Sequence, residues 1–164
     1  MTSKDVGNIT EVSCMLEFMK LGYPVLTPYG DCQRYDFVVE INNKFYRIQS
    51  KTANDAYINE GYIVFRCDNT TTKNGKVVHH SYDENEIDYF STFYDGKCYL
   101  VPVNECSREK RLRFTTPKNG QTKGITFASE YELEKVVANL WWTLFKQRGG
   151  RGFESLPDNH NIEV

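Results

Sequence analysis

RYDFVVEINNKFYRIQSKT, residues Arg34 to Thr52, contains two alternating runs separated by Asn42-Asn43. Asparagine tolerates left-handed backbone, so this pair predicts a two-residue hairpin turn. Ile41 then faces Lys44, and counting back along both strands sets Asp36 directly opposite Gln49. Side chains alternate faces, so Gln49 and Lys51 share one face, about 6–7 Å apart along the strand. Asp36 points out on that face. The other face carries Tyr35, Phe37, Val39 and Ile41 against Tyr46 and Ile48, a core-facing set. An acid, an amide and an amine thus converge at one end of a hairpin with an apolar back. Alone, a Gln-x-Lys pair would decorate a solvated strand face. Beside an acid it is a candidate site for holding a metal and activating water.

Upstream, Val6–Leu21 predicts a helix ending at Gly22. Ile9, Val12, Met15, Leu16 and Met19 form a stripe at helical spacing, which predicts that this face packs on the core. Glu11 lies on the flank of the stripe, placed to lean over an adjacent strand end. Downstream, Gly61–Arg66 reads as a strand. Asn74-Gly75 divides the polar stretch Asp68–Tyr82 into a hairpin, and Asp95-Gly96 divides Tyr89–Tyr94 from Lys97–Val103. Glu130–Lys146 reads as a second helix capped by Ser129, burying Leu133, Val136, Val137, Leu140, Trp141 and Leu144. Of the neighbours Trp141 and Trp142, one can face the core and the other a partner, since successive helical positions differ by about 100°.

Taken together, Gly7…Glu11, LGYPVLTPYGDCQRYD and FYRIQSKTA resemble the PD-(D/E)XK nuclease superfamily. Within it they are most similar to the group I intron-associated homing endonucleases of that fold. The similarity continues through residues 86–103 and 111–133. It implies an α/β fold with a restriction-endonuclease-like core: a mixed β-sheet flanked by helices, with inserted DNA-contacting hairpins and loops. Glu11, Asp36, Gln49 and Lys51 match the active-site positions. Gln49 replaces the superfamily's usual second acid, a change the homing branch shares. VGNIT stands before Glu11 where relatives commonly carry a lysine and a second glycine.

The chemistry is consistent with that resemblance. Phosphodiester hydrolysis needs a nucleophilic water and neutralisation of charge on the phosphate. Mg²⁺ takes one or two carboxylates and keeps several waters. Glu11 and Asp36 are the candidate metal ligands, with the Gln49 oxygen as a neutral third, and Mn²⁺ is the expected substitute ion. With two acids instead of three, weaker metal binding is expected. Lys51 is either a general base or a charged group orienting the water.

At 164 residues and 19.1 kDa the chain predicts one domain, taken as residues 1–150, with a tail over 151–164. No apolar run approaches the ~18–20 residues of a membrane span. Five cysteines without CxxC spacing exclude a zinc ribbon and predict reduced thiols in an intracellular, cytoplasmic protein. The Asn-x-Thr triplets at Asn8 and Asn69 are then incidental. The net charge is −2, but the charges are segregated. Arg108, Lys110, Arg111, Arg113, Lys118 and Lys123 cluster around the single acid Glu109, with a second group at Lys146, Arg148 and Arg151, while DENEID gathers acids at 83–88. Such segregation suits contact with DNA phosphates on a globally acidic protein. The candidate DNA contacts are the six cations of 108–123 together with Arg34, Lys73, Lys76, His79 and His80. Neighbouring strand residues point to opposite faces, so His79 and His80 are not expected to share a metal. The expected partners are double-stranded DNA and further copies of the chain, as a homodimer or homotetramer, because one small domain covers little duplex. Two alternatives remain at this point: a DNA-binding remnant that has lost catalysis, and a junction resolvase of the same superfamily.

Overall fold

In the computed structural model the described residues are 1–30, 32–117, 120, 121 and 123–147, without the side chains of 144, 145 and 147. Lys118, Arg148, Arg151, the Leu144 side chain and the tail 151–164 lie outside them.

The predicted hairpin forms in the predicted register. Strand β2 (Phe37–Ile41) pairs antiparallel with β3 (Lys44–Ser50), Ile41 opposite Lys44 and Phe37 opposite Ile48. Asn42 and Asn43 both take positive φ, +54° and +61°, the primed-turn geometry that matches strand twist. The short strand β1 (Val25–Leu26) adds to the outer edge of β2. On the inner side β3 pairs parallel with a later strand running Tyr89–Tyr94, which turns at Asp95-Gly96 into an antiparallel partner, Lys97–Pro102. Between them, after β3, come β4 (Tyr62–Arg66), β5 (Asp68–Lys73) and β6 (Lys76–Ser81), so the two later strands are β7 and β8. The main sheet is therefore mixed, in the order β1-β2-β3-β7-β8.

Each face of this sheet has its own core. Against one face pack Cys14 and Phe18 of α1 (Ser3–Lys20) and Leu133 and Val137 of α2 (Leu133–Gln147), meeting Phe37, Val39, Ile41, Tyr46, Ile48, Cys98 and Leu100. Against the other face packs a two-stranded sheet of β4 with β9 (Glu109–Arg113), through Ile63, Phe65 and Leu112 onto Phe90, Tyr99 and Val101. The β5–β6 ribbon, turned by Asn74 (φ +52°) and Gly75, stands apart as its own sheet. The acidic run ties its base to the sheet: Arg47 pairs with Asp88 and Arg34 with Glu86.

Three expectations need correction. The stripe on α1 faces outward: Ile9, Val12, Leu16 and Met19 are exposed, and of the stripe only Met15 packs on the core. The buried row is Thr10, Cys14 and Phe18, with the Cys14 thiol fully buried and the Phe18 ring edge-on to Phe37. Glu11, about 60° round the helix from Cys14, is half-buried on the flank of this sheet-facing row. Second, α2 begins at Leu133, and Ser129 lies within a preceding 3₁₀ turn, Ala128–Glu130, too far upstream to be that helix's N-cap. Third, residues 109–113, read from the sequence only as part of a basic cluster, form a strand. Trp141 is half-buried and Trp142 exposed beneath Lys146. Among the described residues no helix is long and apolar enough to cross a membrane.

The turn can be tested directly. A β-branched residue in left-handed backbone costs upwards of about 1–2 kcal/mol, whereas glycine fits there freely. Asn43→Val should lower the unfolding free energy by that much, read as a fall in urea midpoint at an unchanged m-value, and Asn43→Gly should leave the midpoint level or slightly higher.

Candidate active site

Asp36 ends the hairpin opposite the turn. Its backbone N–H donates at 2.8 Å to the carbonyl of Ile48, the residue that pairs with Phe37 at the end of the ladder. Its Oδ2 accepts from the Gln49 side-chain amide at 2.6 Å and from the Ser50 backbone N–H at 2.7 Å. The ladder itself stops at Phe37–Ile48; the bond beyond it sets Asp36 against Gln49, and Tyr35 turns from the face expected of it onto the second core. Because the Gln49 amide nitrogen donates to the acid, its oxygen is the end available to accept or to ligate. The strand end is fixed on β7 by Lys51 N–H donating to the Ser91 carbonyl at 2.8 Å, and by the Ser50–Ser91 hydroxyl pair at 2.7 Å. On the other side Thr10 of α1 meets Thr52 at 3.4 Å, which brings the next helical residue, Glu11, to the same strand end.

Electrostatics couple the group. Burial pushes the Asp36 carboxyl above its ordinary value, outweighing the Ser50 N–H, the Gln49 amide and Lys51, which lower it. Glu11 is raised by burial and then by the charge of Asp36. Burial lowers Lys51 against the opposing pull of Asp36 and Asp68. Two half-buried carboxylates that repel each other, with an amide oxygen beside them, form a donor set suited to a hard divalent cation. Among the described residues no group of three or more His, Cys, Asp or Glu is placed to hold a metal.

Three residues overlooked in the sequence complete the site. The Lys51 ammonium donates to Asn69 Oδ1 at 2.8 Å and to the Asp68 carbonyl at 3.4 Å, and lies 5.1 Å from the centre of the Tyr82 ring. Burial pushes the Tyr82 hydroxyl up to about 12. Asn69 carried only the glycosylation triplet as a signal, and nothing local marks Asp68 or Tyr82; their roles arise from the return of the β5–β6 ribbon.

The candidate DNA contacts divide. Lys73 and Lys76 face each other, exposed, at the ribbon tip. His80 bonds Thr71, while His79 turns to the Asp68 carboxylate at 2.6 Å, beside Arg66. Arg34 lies 4.0 Å over the Tyr82 ring and bonds the Ser81 carbonyl and Glu86, so it is engaged within the protein. Arg108 and Lys123 are exposed. Arg111 and Arg113 flank Tyr62 at 5.8 and 5.2 Å beside an open cleft of about 460 Å³. Among the described residues of the basic run, Lys110 alone is turned inward, buried against Glu105 at 3.1 Å and the Tyr131 ring. Alternation along β9 dictates that inversion.

Similarity to known proteins agrees with this geometry. The PD-(D/E)XK endonuclease family matches residues 1–134. The chain belongs to that family. A solved structure, that of the bacterial homing endonuclease I-Ssp6803I, shares the fold with a TM-score of 0.68. It is 22% identical and covers 94% of this chain and 100% of its own. No curated protein matches. PD-(D/E)XK nucleases generally use divalent metals, and the Glu11, Asp36 and Gln49 donor set fits that use.

Because the folded protein raises the Asp36 pKa, its charged form is a liability that grows as pH rises. Asp36→Asn should be as stable as the wild type at acid pH without metal. It should then gain on the wild type as pH rises from the ordinary Asp value of 3.8 through the raised folded one, and level off above it. Mg²⁺ or Mn²⁺ should raise the melting temperature of the wild type and leave the variant almost unmoved. An equal metal shift in both would remove Asp36 from the ligand set.

Proposed function

We propose that this protein is a divalent-metal-dependent, site-specific endonuclease that hydrolyses both strands of DNA, encoded within an intron or comparable mobile element. The observation that carries the reading is the convergence of Glu11, Asp36, Gln49 and Lys51 on one strand end, in a chain of the PD-(D/E)XK endonuclease family. The structural likeness to a homing endonuclease supports the finer assignment.

Glu11 and Asp36, with the Gln49 oxygen, would hold Mg²⁺, with Mn²⁺ as substitute. When bound, such an ion supplies a water of lowered pKa and a Lewis acid for the scissile phosphate. The Gln49 amide holds Asp36 in position through its 2.6 Å hydrogen bond. Lys51 is in reach of the same pocket, and its lowered pKa suits a group that takes a proton from, or orients, the attacking water. The exposed Lys73–Lys76 ribbon tip and the Arg111–Tyr62–Arg113 face would meet phosphates on either side of the cut.

Duplex strands run antiparallel, so cutting both at one site calls for two active sites related by a two-fold axis. We take the working form as a homodimer or homotetramer. Equilibrium sedimentation should return a mass two or four times 19.1 kDa, and a 19.1 kDa species on cleavable DNA would refute it.

The decisive experiment sets wild type and Lys51→Ala against the intronless and intron-containing forms of the host locus with Mg²⁺. The wild type should cut only the intronless DNA. Lys51→Ala should be slower by about 10²–10⁴-fold while binding nearly as tightly. Gln49 in place of an acid gives the rival reading its one support. Binding without cleavage in Mg²⁺ and Mn²⁺, equal in both proteins, would make this a DNA-binding remnant of the fold, and preference for four-way junctions a resolvase.

A further inference from the structure

A strand fixes where a lysine side chain begins but not where its ammonium ends, because four rotatable bonds lie between them. At Lys51 the far end is held by another element. Asn69 Oδ1 and the Asp68 carbonyl, which accept from the ammonium, belong to the first two residues of β5. Tyr82, whose ring lies beside it, follows the last residue of β6. Asp68 pairs with Ser81 across the ribbon, so Lys51 is gripped between the ribbon's two feet. The feet are themselves braced. The Asp68 carboxylate, 1% exposed, binds Arg66 and His79, and Tyr82 is covered by Arg34. An ammonium only donates, so the Asn69 amide must present its oxygen.

This grip has a consequence for the acids. Asp36 exerts the strongest charge attraction on Lys51, yet among the described residues Lys51 forms an ion pair with neither Asp36 nor Glu11. Asp36 accepts instead from uncharged donors, the Gln49 amide and the Ser50 N–H. A lysine collapsed onto Asp36 would occupy the carboxylate that a cation needs.

We propose that Asn69 is a positioning residue that holds the Lys51 ammonium at the foot of the β5–β6 ribbon, in reach of the cleavage site but off the Asp36 carboxylate. The catalytic consequence rests on the nuclease reading; the positioning itself does not. Because the grip comes from the ribbon that presents Lys73 and Lys76, the placement of the lysine depends on the element that would meet DNA.

The test follows the Lys51 methylenes by NMR in protein carrying ¹³C-labelled lysine, free of metal and DNA, with the signal assigned by its loss in Lys51→Met. In the wild type the ε-protons should be inequivalent and displaced by the Tyr82 ring. Asn69→Ala should merge them and return them to the position of an exposed lysine, whereas Asn69→Asp, which keeps an acceptor, should preserve the wild-type pattern. Unchanged signals in Asn69→Ala, or equal collapse in Asn69→Asp, would overturn the proposal. In cleavage assays Asn69→Ala should lose about ten- to a hundredfold in kcat with its affinity for DNA unchanged, and Asn69→Asp should recover kcat. A fall in affinity with kcat intact would show Asn69 to be a DNA contact instead and would likewise overturn it. A wild type that cuts nothing but shows the expected Lys51 signals would refute the nuclease reading and leave the positioning role standing.

Discussion

The whole site depends on the register of one hairpin. With side chains alternating at period two, a slip of one residue would exchange the faces of β3 relative to β2. Gln49 would turn toward Phe18 and Leu133, and Ile48 toward solvent. Both Asn42 and Asn43 sit in left-handed backbone, and that turn permits a single pairing, Ile41 with Lys44. The ladder runs from there to Phe37–Ile48, and the 2.6 Å bond between Gln49 and Asp36 forms just beyond its end. The buried set Phe37, Val39, Ile41, Tyr46 and Ile48 enforces the same register from the other face. Local turn chemistry and long-range burial therefore agree, the condition under which a sequence specifies one structure.

Upon this frame the site collects charges that the fold does not favour. Burial raises Asp36 and Glu11 and lowers Lys51, so each prefers its neutral form more than it would in water. A cluster with every member pushed toward neutrality is poorly explained as a stabilising ion-pair network. It is the pattern expected where charge is completed by something bound. The replacement of an acid by Gln49 moderates the repulsion. It removes one negative charge and supplies an amide donor to Asp36, which partly offsets the desolvation of that carboxylate.

What could be read from the sequence depended on whether one structural period dominated. The β2–β3 hairpin had strict alternation and an Asn-Asn turn, and both its register and its polar face were legible. The same holds for the turns at Asn74-Gly75 and Asp95-Gly96, where the residues require positive φ and take it. Helix α1 is apolar on more than one side, so spacing alone could not choose its rotation. Packing chose the face with Cys14 and Phe18 and left Val12 and Leu16 outside. Lys110 looked like its neighbours because a charge count ignores alternation, and β9 turned it inward to Glu105. Asn69 and Tyr82 were invisible for a different reason. Their contacts with Lys51 span 18 and 31 positions of chain and exist only because the ribbon closes back on its own base.

That closure accounts for an otherwise odd feature of the chain order. The connection from β3 to its parallel neighbour β7 must cross the sheet, and a crossover needs only about a dozen residues. Here it takes residues 51–88 and contains β4, β5 and β6. β4 covers the second core with β9, which explains one strand of the insertion. The ribbon covers little: apart from Asp68 and the half-buried Val78, its residues are exposed. An exposed two-stranded ribbon is marginal by itself. Its base, however, is cross-linked by Arg66, Asp68 and His79 and by Arg34, Tyr82 and Glu86. Such bracing at the base of an otherwise solvated element stabilises its connection to the domain more than it stabilises the ribbon. The group enclosed by that bracing is the Lys51 ammonium. The sheet thus places Asp36 and Gln49 through backbone register, and the insertion places the one long, flexible member of the site through its side chain.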